Sequence, residues 1–308
     1  MATPDSTQLR TEIPRMPSTP RLSLPAGACD THAHVFGPLD RFPTGASTYA
    51  IPLADPTTYL SMLDTVGATY GALVQPAPYG DDPAAMENAV AHAAGRVVGI
   101  ATADADCTAG ELERMYGRGV RALRFNERID PGSGRRFVGA IGVEALRALA
   151  PVMRDLGIHA HIWAGIEDCV RFAHEFAPTG VPLVFDHMAQ PNVAAGVDDP
   201  NLRRLTRHLA DGQVWVKLTV CRVGDREQGY HDVHAIHDAL VDANPERVLW
   251  GSDWPFVRMG DRAPDVADLL NLFTDWIPDT QVRHRILVDN PRELFGLPLA
   301  HDPTLKSH

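Results

Sequence analysis

Short apolar runs rich in β-forming residues alternate along the chain with longer segments that carry apolar residues at helical spacing. Strands and amphipathic helices differ in the period of their apolar positions, so this alternation predicts the elements. The predicted strands cover residues 28–36, 70–76, 97–103, 120–126, 159–163, 182–187, 214–220 and 248–253. The predicted helices cover residues 56–66, 83–94, 110–117, 143–156, 166–176, 201–210 and 233–243.

The order of these elements favours an α/β barrel. A strand, a helix and a second strand form a parallel unit, and about eight such units build a (β/α)₈ barrel. The main alternative is a doubly wound open sheet, which usually carries a Gly-x-Gly-x-x-Gly turn after its first strand. No such turn follows residue 36. We therefore predict a (β/α)₈ TIM barrel.

Two connections are longer than a plain barrel needs. Residues 37–56 follow the first predicted strand, and residues 127–141 follow the fourth. Both leave the carboxyl ends of strands, where barrel enzymes build their active sites, so we expect both to border the site. Near the end of the chain, residues 279–297 are predicted to form a closing helix that covers the barrel.

Composition limits the class of protein. The chain has 308 residues, 44% of them apolar, and a formal net charge of −11. Nucleic-acid binding needs a basic surface, and a membrane span needs about 20 consecutive apolar residues, so neither is expected. The four cysteines are scattered without paired spacing, and the first 25 residues lack the apolar core of a secretory signal. We expect a cytoplasmic enzyme.

The same reasoning divides the chain into three parts. Residues 1–27 are predicted to be a Pro-rich arm, residues 28–298 the barrel, and residues 299–308 a C-terminal tail. The arm is compatible with either disorder or contact with a neighbouring subunit, so a homo-oligomer stays an open alternative.

The most informative short motif is the pair His32 and His34. Residues two apart on a strand point to the same face, so both imidazoles can bind one metal ion or one substrate oxygen. Such a pair can also be a packing accident, because a short motif is only a hypothesis. Its weight therefore depends on what the other strands place beside it.

Other polar side chains also fall near the carboxyl ends of the predicted strands. They are Gln75, Arg124, Asn126, His159, His161, His187, Lys217, Thr219 and Asp253. Buried charges and imidazoles cost free energy unless they have partners, so packing alone does not explain them. Three histidines and an aspartate can supply the ligands of a catalytic zinc-type site with a position left for water. His187 would remain as an acid, a base or a carbonyl polariser, and we assign His159 a structural role.

Five motifs in sequence resemble the amidohydrolase superfamily. They are Cys-Asp-Thr-His-Ala-His-Val-Phe-Gly-Pro at 29–38, Leu-Val-Gln-Pro at 73–76, Leu-Arg-Phe-Asn at 123–126, Phe-Asp-His-Met at 185–188 and Trp-Gly-Ser-Asp-Trp-Pro at 250–255. The resemblance spans about residues 28 to 297. Within the superfamily it points to the branch of pyrone dicarboxylate lactonases, sulfomuconolactone hydrolases and sugar lactonases.

The resemblance implies a distorted (β/α)₈ barrel that hydrolyses an ester bond in a small, usually anionic ring. In the pyrone dicarboxylate lactonases, which work without a metal, the aspartate that matches Asp253 activates water. The histidines that match His32, His34 and His187 polarise the carbonyl. Arginines and tyrosines hold the substrate carboxylates, and the corresponding residues here are Arg124, Arg128, Arg222 and Tyr49.

The chain departs from that pattern at three positions. His161 stands where the metal-free lactonases carry a glutamine, Ala77 where a hydroxyl residue is expected, and Trp163 near their tyrosine. These changes favour a metal-bearing relative of the sulfomuconolactone hydrolase type. We therefore expect one divalent metal, preferably Zn²⁺, bound by His32, His34, His161 and Asp253, whose water would have a pKa lowered toward ~7. A metal-free mechanism stays an alternative.

These observations combine into one functional hypothesis. The chain is predicted to hydrolyse a small anionic lactone in aromatic-compound catabolism, with Asp253 and His187 as catalytic residues. The predicted substrate-binding residues are Arg124, Arg128, Arg222, Tyr49, Gln75, Asn126 and Trp163. The alternatives are a metal-dependent non-oxidative decarboxylase of an aromatic or unsaturated acid, a sugar-acid lactonase, and a binding protein that has lost its chemistry.

Overall fold

In the computed structural model, which describes residues 13–47 and 49–299, eight parallel strands form one sheet in the order of the chain. The strands are β1 Cys29–Ala33, β2 Tyr70–Val74, β3 Val97–Ala101, β4 Val120–Asn126, β5 His159–Trp163, β6 Leu183–Phe185, β7 Val214–Lys217 and β8 Val248–Leu249. Backbone hydrogen bonds close the barrel, from Thr31 N to Trp250 O at 3.1 Å and from Asp253 N to His32 O at 2.7 Å. The predicted (β/α)₈ barrel is confirmed.

The helices cover the outside of the barrel. They are α1 Pro56–Val66, α2 Ala84–His92, α3 Ala109–Gly117, α4 Val143–Leu156, α5 Ile166–Phe176, α6 Pro200–Ala210, α7 His234–Ala243, α8 Val266–Trp276, α9 Thr280–His284 and α10 Asn290–Phe295. The sequence analysis did not predict α8. The Asp265 carboxylate caps that helix by accepting from Ala267 N at 2.8 Å, and an Asp at this position is a common helix start.

Several strands end earlier than the apolar pattern predicts, and the chain then turns sharply at the mouth of the barrel. After β6, residues His187, Met188, Ala189 and Gln190 all have positive φ, and after β8 Asp253 has φ +65°. Non-glycine residues rarely adopt this left-handed conformation, and such strain often occurs at functional sites. These turns direct His187 and Asp253 into the barrel mouth.

The closing segment covers the amino-terminal end of the barrel. It forms α9, a π-helical turn at Arg285–Asp289 and α10 rather than one continuous helix. Asn290 anchors α10 by donating to Pro245 O at 2.8 Å and to Val248 O at 2.7 Å. Phe295 and Leu297 then pack into the barrel interior against Cys29 and Tyr70.

The N-terminal arm lies on its own barrel over the part that is described. The Ser18 N and Oγ both donate to Asp265 Oδ2 at 2.9 Å, and Arg21 pairs with Asp275 at 2.6 Å. Residues 1–12 of the predicted arm and residues 300–308 of the predicted tail lie outside the described residues. Among the described helices, none has the length and apolarity that a membrane crossing requires.

We expect Phe295→Ala to lower the free energy of unfolding by about 3–5 kcal/mol, because it opens a cavity beneath the barrel interior. Phe295 is 1% exposed and its ring centre lies 5.0 Å from that of His159. Urea denaturation followed by circular dichroism measures the change. Leu299→Ala is the control, since Leu299 is 61% exposed. Equal stability of the two variants would show that the closing segment does not support the barrel.

Candidate active site

A cavity opens at the carboxyl ends of the strands, and the loops after β1, β2, β4, β7 and β8 surround it. Most of the predicted site residues line this cavity: His34, Tyr49, Arg124, Asn126, Trp163, His187, Arg222 and Asp253. The long connections 37–56 and 127–141 contribute Tyr49 and Phe137 to its wall. Burial raises the pKa of Tyr49, so its phenol is neutral and can donate a hydrogen bond.

Asp253 lies at the centre of the polar cluster. Its Oδ1 atom is 3.4 Å from His32 Nε2 and 3.3 Å from His34 Nε2, while its Oδ2 atom accepts from Arg222. Burial by itself would raise the pKa of Asp253. The positive charge of Arg222 outweighs it and, together with the neighbouring His34, holds the pKa well below the usual value. Asp253 is therefore a carboxylate at neutral pH.

The Nε2 atom of His34 carries no hydrogen in the neutral ring and faces the Asp253 carboxylate. Its Nδ1 atom lies 2.8 Å from Val74 O, and because a carbonyl oxygen only accepts, Nδ1 carries the ring hydrogen. In the neutral ring, Nε2 is then an acceptor that faces a second acceptor, Asp253 Oδ1, at 3.3 Å. A proton or a metal cation between the two atoms would satisfy both.

His32 stands between two charged residues on neighbouring strands. Its Nδ1 atom is 3.1 Å from Lys217 Nζ and 3.3 Å from Asp186 Oδ1. If the Lys217 ammonium donates to Nδ1, the hydrogen of His32 is on Nε2 and faces Asp253. If Nδ1 instead donates to Asp186, Nε2 is free to bind a metal, an arrangement common in metal sites. Lys217 and Asp186 therefore set the tautomer of His32.

Lys217 and Asp186 are themselves an ion pair within the barrel. Lys217 Nζ lies 3.1 Å from Asp186 Oδ1, and both side chains are 0% exposed. Burial lowers the pKa of Lys217, and Asp186 opposes that effect. Burial would raise the pKa of Asp186, but Lys217, His32 and Arg124 hold it well below its usual range. The pair gives the barrel interior one balanced cation and anion.

His161 lies deeper in the barrel than the sequence analysis predicted for a metal ligand. Its Nε2 atom lies 2.9 Å from His159 Nδ1, and its Nδ1 atom lies 3.9 Å from Asp186 Oδ1. Its ring also contacts Phe295 of the closing segment, with ring centres 5.9 Å apart. The same Asp186 oxygen thus faces both His161 and His32. His159 is buried against Phe295, which agrees with the structural role assigned to it.

His187 borders both the cavity and the histidine pair. Its ring centre is 4.8 Å from that of His32 and 5.4 Å from that of Trp163. Burial lowers the pKa of His187 to about 3, although Asp253 and Asp186 oppose the shift. Its Nδ1 atom is buried with no hydrogen-bond partner. A neutral imidazole in this position can donate a hydrogen bond to a substrate oxygen.

Two overlapping groups of side chains have metal-binding geometry among the described residues. One consists of His32, His34 and Asp253, and the other of His32, Asp186 and His187. The first group includes the bare His34 nitrogen and the unpartnered His32 Nε2 atom. Imidazole nitrogens and a carboxylate oxygen suit zinc and similar divalent ions. The residues therefore fit a divalent cation, and His161 is not a member of either group.

Three further predicted binding residues have different surroundings. Gln75 does not line the cavity, because its amide donates to Gly80 O at 2.8 Å and to Asp82 O at 3.0 Å and accepts from Thr102 N at 3.2 Å. Asn126 lines the cavity and its Oδ1 atom accepts from Arg128 N at 2.9 Å. Arg128 does not line the cavity. The hydrogen bonds of Gln75 thus support the loop after β2, and its role in substrate binding stays a prediction.

The structure adds residues that the sequence analysis did not assign to the site. Asp186 stands inside the motif at 185–188, and Lys217 was noted only as a polar residue at a strand end. Arg258 and Phe137 line the cavity from its outer side. The positions of Asp186 and Lys217 were visible as charges in apolar strands. Arg258 belongs to a loop without periodicity, so no sequence pattern marks it.

Comparison with known proteins identifies the family of the chain. The sequence profile described as amidohydrolase matches residues 29–297. The chain is 34% identical over 289 residues to a 4-sulfomuconolactone hydrolase of Rhizobium radiobacter, covering 92% of this chain and 95% of that protein. It is 30% identical over 290 residues to a 2-pyrone-4,6-dicarboxylate hydrolase of Comamonas testosteroni, covering 91% and 93%.

A solved structure shares the fold. It is a Pseudomonas putida protein assigned as a 2-pyrone-4,6-dicarboxylic acid hydrolase, with a TM-score of 0.76 and 27% identity. The match covers 90% of this chain and 100% of that one. The strand order, the polar cluster at the barrel mouth and the profile match over nearly the whole barrel lead to one conclusion. The chain belongs to the amidohydrolase family.

Proposed function

We propose that this amidohydrolase hydrolyses a small anionic lactone of the muconolactone or pyrone type, as a step in aromatic-compound catabolism. The observation that carries the proposal is the Asp253 carboxylate, buried among His32, His34 and Arg222 at the base of an arginine-lined cavity. A buried carboxylate beside imidazoles can activate water next to a carbonyl carbon. The names of the two relatives, both lactone hydrolases, support this substrate class.

The residues divide the work of ester hydrolysis. Asp253 orients a water molecule and takes its proton as the water oxygen forms a bond to the lactone carbonyl carbon. His187 donates a hydrogen bond to the oxyanion that develops on the carbonyl oxygen. When the ring C–O bond breaks, the proton held on Asp253 passes to the leaving oxygen, which leaves a carboxylic acid and a free hydroxyl on the opened ring.

We further propose that His32 Nε2, His34 Nε2 and Asp253 Oδ1 hold one divalent cation, with Zn²⁺ preferred for this donor set. Such an ion supplies Lewis-acid polarisation of the carbonyl and lowers the pKa of a coordinated water. For His32 to join, its hydrogen must be on Nδ1, facing Asp186. The geometry supports three ligands and leaves out His161, which the sequence analysis had included. Asp253 acting as the base without a metal stays the alternative mechanism.

The cationic lining explains how a protein of net charge −11 would bind an anion. Arg124 and Arg222 are largely buried, with side chains 7% and 16% exposed, and both face the cavity. A cleft concentrates the field of its own lining charges, so the local potential differs from that of the whole surface. Guanidinium groups also bind carboxylate or sulfonate through two parallel hydrogen bonds.

A substrate panel tests the proposed activity. We expect the protein to open the rings of pyrone dicarboxylate or of muconolactones with and without a sulfonate, and to open neutral aldonolactones poorly. Proton release gives the rate and product analysis gives the bond broken. Release of carbon dioxide without ring opening would instead identify a decarboxylase, and preference for a neutral aldonolactone would contradict the anionic class.

We expect His187→Ala to lower kcat by about 10²–10³, because loss of one oxyanion donor typically costs that much. Metal content should not change, since His32, His34 and Asp253 remain. Steady-state kinetics with the best lactone of the panel measures kcat. His174→Ala is the matched control, as His174 is exposed on α5. An unchanged kcat in the His187 variant would remove His187 from the mechanism.

Metal analysis tests the ligand set. In protein purified without chelator we expect about one divalent ion per chain, its loss in His34→Ala, and its retention in His161→Gln. Elemental analysis measures the content, and circular dichroism verifies folding. Loss of the ion in His161→Gln would restore His161 as a ligand. Full activity of a metal-free parent protein would support the mechanism in which Asp253 acts alone as the base.

A further inference from the structure

Three arginines among the described residues line the cavity, and two of them also pair with buried carboxylates. Arg124 Nε donates to Asp186 Oδ2 at 3.2 Å, and Arg222 pairs with Asp253 while its Nη1 atom donates to Val257 O at 2.9 Å. Both therefore help to hold the catalytic cluster together. Arg258, on the loop after β8, is the third, and its surroundings are different.

The guanidinium of Arg258 has N–H groups without a hydrogen-bond partner among the described residues. Its Nη2 atom lies 3.5 Å from Asp130 Oδ1, longer than the about 2.7–2.9 Å of a charge-assisted hydrogen bond. No hydrogen bond from its guanidinium is found among the described residues. The side chain is 35% exposed, compared with 7% for Arg124 and 16% for Arg222. Arg258 thus lies nearest the mouth of the cavity, with N–H groups available to a ligand.

An aromatic pair links the outer arginine to the inner one. The rings of Phe137 and Trp163 stack with centres 5.6 Å apart and planes 4° apart. The Arg258 guanidinium lies 4.5 Å from the Phe137 ring centre, and that of Arg124 lies 5.2 Å from the Trp163 ring centre. Cation–π contacts of this kind hold a guanidinium in place while its edge remains open to an anion.

The backbone at Arg258 is a second, independent observation. Arg258 has φ +68° and Phe256 has φ +62°, both in the left-handed region that non-glycine residues rarely adopt. Strained positions of this kind persist where the surrounding structure enforces them, and they cluster at ligand-binding sites. Contacts of the surrounding residues, rather than the backbone preference of the loop, therefore keep Arg258 at the cavity.

We propose that Arg258 is the specificity-determining residue that binds a second anionic group of the substrate, a carboxylate or a sulfonate remote from the lactone carbonyl. With the carbonyl at Asp253, a planar ring lies along the Phe137–Trp163 wall and its far substituent reaches Arg258. The site then selects doubly anionic rings over singly anionic ones. This proposal rests on the proposed function, which places the lactone carbonyl at Asp253.

Arg258→Met tests the proposal. For a doubly anionic lactone we expect KM to rise about 10- to 100-fold, the effect of losing one charge-assisted contact, with a smaller change in kcat. For the corresponding singly anionic lactone, KM should stay the same. Arg258→Lys should restore part of the affinity, because it keeps the charge but not the bidentate geometry. Arg262→Met is the matched control, since Arg262 is exposed on the same loop and does not line the cavity.

Asp130→Asn separates binding from a purely structural contact. Asp130 and Phe137 both belong to the connection 127–141, so Arg258 could instead serve only to hold that connection against the barrel. The Asp130 variant breaks the ion pair but keeps the arginine. If Arg258 binds substrate, KM for the doubly anionic lactone stays the same or falls. A rise equal to that of Arg258→Met, or an equal rise for both classes of lactone, would overturn the proposal.

A non-reacting probe distinguishes failure of this proposal from failure of the proposed function. Calorimetry with 3-sulfobenzoate and benzoate compares a doubly and a singly anionic planar ring without any hydrolysis. We expect the parent protein to bind 3-sulfobenzoate more tightly, and Arg258→Met to remove that preference. A preserved preference in the variant, or none in the parent, would overturn the role of Arg258. If the preference behaves as expected but no lactone is hydrolysed, the hydrolase proposal fails and the anion subsite stands.

Discussion

The buried ion pair between Lys217 and Asp186 is the interaction on which the barrel interior depends. Both side chains are fully enclosed, and an uncompensated buried charge typically costs about 3–5 kcal/mol. The same Asp186 carboxylate accepts from Arg124 and faces His32 and His161. One anion therefore connects side chains from four strands and, with Lys217, determines which nitrogen of His32 carries the hydrogen. The buried pair of Lys217 and Asp186 therefore influences the protonation of the histidines at the barrel mouth.

The strands hold side chains at fixed positions, and the loops after the strands orient other side chains toward the cavity. His32, Arg124 and Lys217 come from the barrel strands or their immediate ends, where hydrogen-bonded neighbours fix the backbone. His187, Asp253 and Arg258 follow the strands in left-handed conformations that the surrounding packing enforces. The first set holds charge in the interior, from which Arg124 also reaches the cavity, and the second set lines the cavity. This division is typical of barrel enzymes, in which loop variation changes the substrate while the barrel remains.

The accuracy of the sequence analysis followed the strength of the local pattern. The strands β4 and β5 and the helices α1, α4 and α5 have the predicted bounds, because their apolar periodicity and their end residues agree. Helix α8 was missed although Asp265 marks its start. Gln75 shows that a correctly predicted position does not reveal the partners of a side chain. Its position at a strand end is correct, but its amide is fully used by backbone groups that only folding brings near.

The sequence by itself determined the barrel, the order of its strands and the identities of the residues that meet at its mouth, because periodicity and motif order are local properties of the chain. Only the tertiary structure decided how those residues pair. His161 and His34 both end a His-x-His motif, yet His34 faces Asp253 while His161 faces His159 and Asp186. The difference arises from depth within the barrel and from side chains on distant strands. The spacing of residues along one strand does not reveal the partner of each histidine, because that partner can lie more than a hundred residues away in the chain.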